Sequence, residues 1–156
     1  MLSIGEKAPE FALKNAENET VTLSQFKGKK VVLFFYPKDD TPGCTKESIG
    51  FSEKIEEFEA ENTVIIGISK DSVESHQKFR DKYQLKVILL SDPERKMIED
   101  YHVWQEKKNY GKTYMGIVRT TYLIDESGNI EKIWKNVRVN GHIDEVFNQS
   151  CQLKST

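Results

Sequence analysis

Cys44 is the residue whose type and setting most invite chemistry. It follows a loop of seven residues, Pro37 to Gly43, that is rich in turn formers: Asp39, Asp40, Thr41, Pro42 and Gly43. The segment from Cys44 to about Glu61 reads as a helix, because Phe51, Ile55 and Phe58 recur at i, i+4 and i+7. A cysteine at a helix start meets unpaired N–H groups and the positive end of the helix dipole, and both stabilise a thiolate. The thiolate, not the thiol, is the nucleophile. Thr41, three residues earlier, can turn its hydroxyl toward the sulfur and donate to the thiolate, or bridge to a bound oxygen substrate. Pro37 stiffens the start of the loop and can shield the thiolate from water. Taken alone, such a cysteine is as readily an inert small hydrophobe.

Arg119 is a second oddity. It interrupts the apolar stretch Ile117–Ile124 within a segment, Ile117 to Asp125, that reads as one long strand. A strand arginine ordinarily lies on the solvent face. Glu47, one helical turn after Cys44, fits an orienting partner for a cation and a solvated helix glutamate equally well. His76 lies on an apolar helical face and reads as a satisfied core histidine. His102 and His142 have no spaced partners that would make a metal site. Trp104 and Tyr110 can wall a pocket, but ordinary packing explains them as well.

The elements that must position these residues follow from the pattern. Val31 to Tyr36 is a continuous β-branched and aromatic run, expected as a strand buried on both faces and ending at Pro37. Thr63–Ser69 is a second buried strand and Val87–Leu90 a third. Asp71 or Ser72 caps a helix carrying Val73, His76, Phe79 and Tyr83 near one face. A short helix runs from after Pro93 to about Tyr101, and Trp104 to Met115 reads as a polar loop or insertion. Glu126–Asn129 is a hairpin turn leading into a strand from Ile130 to Trp134, and a last helix follows Asn140-Gly141. Before all of these, Phe11-Ala12-Leu13 and Val21-Thr22-Leu23 are short alternations, with a helical turn at Ser24-Gln25-Phe26. The order β-α-β-α-β-α, hairpin, helix predicts an α/β fold, a mixed central sheet flanked by helices. Ligands of such sheets bind beyond the carboxyl ends of strands, which is where Cys44 falls.

The chain has 156 residues, with 23 Lys and Arg against 25 Asp and Glu. One domain over residues 1–156 is expected, with no repeat, no low-complexity stretch and no linker. The near balance of charge argues against a nucleic-acid surface. Two cysteines, Cys44 and Cys151, exclude a disulfide-rich scaffold and a four-cysteine zinc site. The opening residues lack a signal peptide's apolar stretch, and no run approaches the roughly 18–20 apolar residues of a membrane span. The expectation is a soluble protein of a reducing compartment, the cytoplasm, without membrane or nucleic-acid partners.

The string Phe35-Tyr36-Pro37-Lys38-Asp39-Asp40-Thr41-Pro42-Gly43-Cys44-Thr45-Lys46-Glu47 closely resembles the peroxidatic loop of peroxiredoxins, and Pro37-x-x-x-Thr41-x-x-Cys44 matches the family's PxxxTxxC motif. With Tyr110-Gly111-Lys112-Thr113-Tyr114-Met115-Gly116-Ile117-Val118-Arg119-Thr120-Thr121, it is similar to the subgroup called bacterioferritin comigratory protein, or PrxQ. The resemblance runs from about Gly5 to Phe147. It implies a thioredoxin-like fold and thiol-dependent reduction of hydrogen peroxide and organic hydroperoxides, with no cofactor and no metal. It carries over Cys44 as peroxidatic nucleophile, Thr41 and Pro37 as its loop partners and Arg119 as the strand-borne cation, which Glu47 would orient by a bidentate contact. Thioredoxin or another external thiol is the implied reductant, and a monomer or weak homodimer the implied assembly.

The chain departs from that pattern at one telling place. Many members of the subgroup carry a resolving cysteine five residues after the nucleophile, where this chain has Ile49. At roughly 100° per residue Ile49 sits about 200° from Phe51, off the apolar stripe, so it is expected to be at least partly exposed. Cys151 is the remaining candidate resolving cysteine, and an unreactive tail thiol is the plainer reading of it. The expectation is a one-cysteine enzyme. The alternatives are a two-cysteine enzyme resolved by Cys151, and a redox sensor or chaperone-like binding protein on the same fold. A thioredoxin-like disulfide reductase is disfavoured, since Cys44 has no CxxC partner.

Overall fold

The computed structural model describes residues 2–153. In chain order its elements begin with β1 (Ala12–Asn15), β2 (Thr20–Thr22) and a 3-10 turn at Ser24–Phe26. Then come β3 (Lys30–Phe35), α1 (Pro42–Glu53), α2 (Ile55–Ala60), β4 (Thr63–Ser69) and α3 (Val73–Tyr83). They are followed by β5 (Ile88–Ser91), α4 (Lys96–Asp100), β6 (Trp104–Asn109) and β7 (Lys112–Ile117). The chain closes with β8 (Thr120–Ile124), β9 (Ile130–Trp134) and α5 (His142–Gln152). No helix among the described residues is long and apolar enough to cross a membrane.

Seven strands form one mixed sheet in the order β2-β1-β5-β4-β3-β8-β9. β3, β4 and β5 run parallel to one another, and β8 and β9 complete the sheet antiparallel on the β3 side. β3 therefore lies inside the sheet, and all six of its residues are buried. Its side chains alternate between two cores, as period-2 geometry demands. Val31, Leu33 and Phe35 enter a layer with Ile66, Leu90, Met97, Ile98, Tyr101 and Tyr122. Val32, Phe34 and Tyr36 enter the opposite layer with Phe51, Phe58, Ile65, Phe79, Leu123 and Val146. The helices α1, α2, α3 and α5 cover the second face, and α4 the first.

Several elements differ from the sequence expectation. The helix expected from Cys44 to Glu61 begins at Pro42, and Lys54 (φ −99°, ψ 10°) divides it into α1 and α2. Proline suits a first helical position, since the N–H it lacks has no partner there anyway, so Cys44 sits third in the helix and Thr41 is its N-cap. The polar loop expected from Trp104 to Met115 is instead a β-hairpin, β6 paired with β7 from Trp104–Ile117 to Asn109–Lys112. Its two-residue turn, Tyr110-Gly111, has φ of +51° and +76°, the left-handed pair such turns require. The long strand expected from Ile117 to Asp125 is broken: β7 ends at Ile117 and β8 begins at Thr120. The Val118 N–H still follows the β6–β7 register, donating to the Val103 carbonyl at 2.8 Å, and the chain then passes from that hairpin to the main sheet at Thr120. The third strand is displaced by one residue, to Ile88–Ser91, whereas β4 occupies the expected Thr63–Ser69. Ser72, one of the two expected caps, accepts from the Ser75 N–H at 3.1 Å and starts α3.

One glycine is fixed by packing. Gly67 lies opposite Phe34 in the β3–β4 register, and a Cβ placed on it would lie 2.6 Å from Phe34 Cζ. The ring cannot yield easily, because it stacks on Phe51 at 4.8 Å and on Tyr36 at 5.7 Å. Overpacking of this kind costs about 1–3 kcal/mol. Gly67→Ala is therefore expected to lower stability by that amount in urea denaturation; an unchanged midpoint would contradict the packing described.

Candidate active site

Cys44 is buried, 1% exposed, in the first turn of α1. That turn emerges from the carboxyl end of β3. No side chain caps the turn, and the N–H groups of Gly43 and Cys44 have no partner among the described residues. A helix start in this condition offers donors and a positive dipole end to an incoming anion or developing negative charge.

Arg119 reaches Cys44 from the break between β7 and β8. Its Nη2 donates to Cys44 Sγ at 3.3 Å, and its Nη1 donates to Glu47 Oε1 at 2.6 Å. The arginine side chain is 17% exposed and that of Glu47 fully buried, so neither takes the ordinary surface position of its residue type. The contact to Glu47 is monodentate, not the expected bidentate one, because the guanidinium divides its two terminal nitrogens between the carboxylate and the sulfur. Glu47 Oε2 is buried without a hydrogen-bond partner among the described residues. Burial accordingly pushes the Glu47 carboxyl up to about 7, against the opposing pull of Arg119. Burial works against the guanidinium's charge too, but Glu47 and Cys44 outweigh it and hold Arg119 above its ordinary value.

Gly43 lies close against this guanidinium. A Cβ at Gly43 would lie 3.1 Å from Arg119 Nη2. Thr41 is the N-cap residue, with extended backbone (φ −101°, ψ 155°), and its carbonyl accepts from the Thr45 N–H at 2.8 Å. Its hydroxyl does not turn to the sulfur as expected; it donates to the Lys38 carbonyl at 2.9 Å, closing the loop on itself. Pro37 is half-buried at the start of that loop.

Sequence reasoning set Lys107 aside as part of a solvated loop. It lies in β6, and its Nζ reaches back along the hairpin to donate to the Ile117 carbonyl at 2.9 Å. Burial and the nearby Arg119 hold its ammonium below the ordinary lysine range, with Cys44 pulling the other way. The signal was hidden because a polar hairpin carries no hydrophobic periodicity. Tyr110 does not wall the site but stands 98% exposed at the hairpin tip. The Trp104 ring meets two cations, Arg95 at 4.7 Å and Lys70 at 4.9 Å. His142 is buried with Nε2 2.8 Å from the Thr121 hydroxyl, and burial pushes its imidazole down to about 4. Among the described residues no group of His, Cys, Asp and Glu is arranged to hold a metal.

Cys151 is far from this cluster. It is exposed in the last turn of α5. That turn is tied to Lys30, the first residue of β3, whose buried Nζ donates to the carbonyls of Ser150 at 2.7 Å and Leu153 at 3.3 Å. Cys44 follows the other end of β3, and a strand of this length spans roughly 17 Å. A disulfide needs Cα atoms within about 7 Å. Ile49 is partly exposed, on the outer face of α1 with Pro42, Thr45, Lys46, Gly50 and Glu53.

Three comparisons bear on this geometry. A sequence profile of the AhpC/TSA family matches residues 4–133. The peroxiredoxin Bcp of Bacillus subtilis is 51% identical over 146 residues, covering 94% of this chain and 93% of its own. Among solved structures, a cysteine-to-serine mutant of Xylella fastidiosa PrxQ superposes with TM-score 0.91 at 34% identity, covering 96% of this chain and 95% of its own. The bacterioferritin comigratory protein of Xanthomonas campestris, described for its alkyl peroxide reduction activity, superposes with TM-score 0.88 at 35% identity over 92% of each chain. The mixed sheet is thus the thioredoxin-like peroxiredoxin fold.

The buried carboxyl gives a pH signature. An unfolded chain releases the Glu47 proton near 4.5, the native chain only near 7. Between those values the native state binds the extra proton, so Glu47's contribution to stability falls as pH rises and is then constant above 7. The full effect is about 3 kcal/mol. His142 acts in the opposite sense, since its native value near 4 makes stability fall as pH drops below 6.5. The difference between Glu47→Gln and wild type isolates the first group. In urea denaturation at a series of pH values it should move in the variant's favour from pH 4.5 to 7; parallel curves would contradict the assignment.

Proposed function

The chain belongs to the AhpC/TSA family of peroxiredoxins and is a thiol peroxidase, and from that premise we propose that Cys44 is its peroxidatic nucleophile, working with Arg119, Thr41, Pro37 and Glu47. The observation that carries the reading is the Arg119 guanidinium bridging Cys44 Sγ and Glu47 Oε1. One cation meets the sulfur while its other arm is anchored to a buried carboxylate.

The Cys44 thiolate attacks the distal oxygen of ROOH in line with the O–O bond. An S–O bond forms, the O–O bond breaks, and both of its electrons leave with RO. Arg119 and the free N–H groups of Gly43 and Cys44 are placed to stabilise the charge developing on the departing oxygen. A proton from solvent completes the alcohol, or water when the substrate is hydrogen peroxide. The thiolate has become a sulfenic acid. Thr41 shapes the first turn through its carbonyl and its closed loop, and Glu47 sets the guanidinium's direction. Lys107 adds a second positive charge to the neighbourhood.

Re-reduction is assigned to an external thiol, with thioredoxin the proposed donor in the cytoplasm and the chain acting as a monomer or weak homodimer. The first thiolate attacks the sulfenic sulfur, the S–S bond forms as the S–O bond breaks, and the departing hydroxide takes a proton from solvent to leave as water; a second thiol of the reductant resolves the mixed disulfide. Two facts support a one-cysteine course. Ile49 occupies the short-range resolving position, and Cys151 is held at the far end of β3 by Lys30. Burial and the neighbouring Glu61 also push the Cys151 thiol up, which disfavours its thiolate.

Intact mass after one equivalent of hydroperoxide tests this course. Wild type and Cys151→Ser should both gain one oxygen; loss of two hydrogens in wild type alone would show that Cys151 resolves Cys44. Cys44→Ser should remove peroxide consumption with the fold retained. Arg119→Met should lower kcat/KM for peroxide by about 10²–10³, whereas turnover at the wild-type rate would sink the assigned role.

A further inference from the structure

Two neighbouring carboxylates in the loop before Cys44 point opposite ways, and both end on α3. Asp39 turns inward and is 7% exposed. Its Oδ1 accepts from the Tyr36 hydroxyl at 2.6 Å, and its Oδ2 accepts from the Ser75 hydroxyl at 2.8 Å and faces His76 Nδ1 at 2.7 Å. The Asp39 N–H donates to Asp71 Oδ2 at 2.8 Å, and the Ser69 hydroxyl donates to the same oxygen at 2.6 Å. Asp40, at φ +57°, turns outward and accepts from Lys82 Nζ at 2.8 Å and from the Tyr83 hydroxyl at 2.5 Å. Ser75, His76, Lys82 and Tyr83 all belong to α3.

His76 is the centre of the inner grip. It is fully buried, and its Nε2 lies 2.9 Å from the Leu90 carbonyl. A carbonyl can only accept, so Nε2 carries a proton. The other ring nitrogen faces the Asp39 carboxylate, and that contact holds one proton between the two groups. The ring thus joins β5 to the loop. Among the described residues no hydrogen bond or ion pair joins these groups to Cys44 or Arg119, and the reaction as derived does not use them. A buried polar network with every member satisfied rigidifies one conformation. The conformation fixed here is that of the loop whose next residues are Thr41, Pro42, Gly43 and Cys44.

We propose that Asp39 and His76 are positioning residues for Cys44: their buried contact holds the loop shut with the first turn of α1 formed for peroxide, and its release admits the reductant. The proposal rests on the peroxidase reading above. A cysteine 1% exposed is open to a small peroxide only along a prepared path, and the thiol of a protein reductant cannot reach it while the loop stays in place. The same contact therefore acts in opposite directions on the two half-reactions. It favours oxidation and retards reduction.

Two substitutions at one position separate this role from a general loss of structure. In His76→Gln the side-chain amide takes the place of Nε2, keeping the Leu90 contact and losing Asp39. In His76→Asn it takes the place of Nδ1 and keeps Asp39. Stopped-flow sulfenate formation should fall about tenfold in the glutamine variant, as small misplacements of reacting groups do, and be largely restored in the asparagine variant. Reduction of pre-oxidised Cys44 by dithiothreitol should be faster than wild type in the glutamine variant. Hydrogen exchange should rise over residues 37–47 alone. Ser75→Ala, which removes one donor to Asp39 at little change in volume, should show the same pattern at smaller amplitude even if His76→Gln does not fold. The proposal is overturned if both half-reactions slow together, if the two His76 variants behave alike, or if exchange rises across the sheet. Exchange needs no peroxide, so it still reports on the clamp if wild type forms no sulfenate, the outcome that would instead defeat the peroxidase reading.

Discussion

The Arg119 guanidinium, set between a buried carboxylate and a buried sulfur, is the contact on which the site depends. Its energetics are finely opposed. Burial alone would neutralise Glu47, and pairing with Arg119 only partly reverses that. Such a pair contributes little net stability, yet removing one partner strands the other and costs about 3–5 kcal/mol. The arrangement therefore holds direction more than it holds energy. Its reach extends to the chain before Cys44: a Cβ at Gly43 would lie 3.1 Å from Arg119 Nη2, so a side chain there would press on the guanidinium.

Cys44 and Arg119 meet because of one sheet register. β8 runs antiparallel to β3 with Phe35 opposite Thr120. The carboxyl end of β3 thus lies beside the amino end of β8. The loop to Cys44 leaves from the first, and Arg119 immediately precedes the second. A slip of one residue would turn the alternating side chains of β8 to the wrong core, so the packing that fixes the core also fixes the spacing of Cys44 and Arg119. The break before β8 makes the meeting possible. The Val118 N–H donates to the Val103 carbonyl at 2.8 Å and the Arg119 carbonyl accepts from the Val137 N–H at 2.9 Å, so the backbone is tied to another segment on each side of the arginine.

The sequence was legible where burial imposes a pattern. β3, β4, α3 and α5 announce themselves because residues sealed in a core must be apolar at the period of their element. Cys44 and Arg119 were legible as oddities against that pattern and the family motif gave them roles, whereas Glu47 read equally well as a solvated helix glutamate. The β6–β7 hairpin was not legible. It stands outside the main sheet with most of its residues exposed on both faces, so neither face demands apolar residues and Lys107 reads as loop. The direction of the Thr41 hydroxyl was misread for a different reason: spacing shows that it can reach the sulfur, but the local carbonyl of Lys38 competes for the same donor. The grip of α3 on Asp39 was out of reach, since Asp39 and His76 are 37 residues apart and only packing brings them together.

The two ends of β3 are secured in different ways, and the difference bears on how the cycle can close. At its beginning, the buried Lys30 ammonium closes the end of α5 through two carbonyls and fixes Cys151 there. No charge in that contact has to change during a redox cycle, so nothing in the chemistry at Cys44 would release it. Beyond its end, the loop is held by side chains of α3, through hydrogen bonds that can break without exposing the sheet. Motion is cheapest where few apolar contacts are lost, and the loop before Cys44 holds by polar contacts what α5 holds by packing of Val146 and Phe147 on the core. A resolving thiol brought from outside needs only the loop to yield, whereas one brought from Cys151 needs α5 to leave its core. With Ile49 in the short-range position, this difference between the two ends of β3 supports the proposed course, in which a second molecule reduces Cys44.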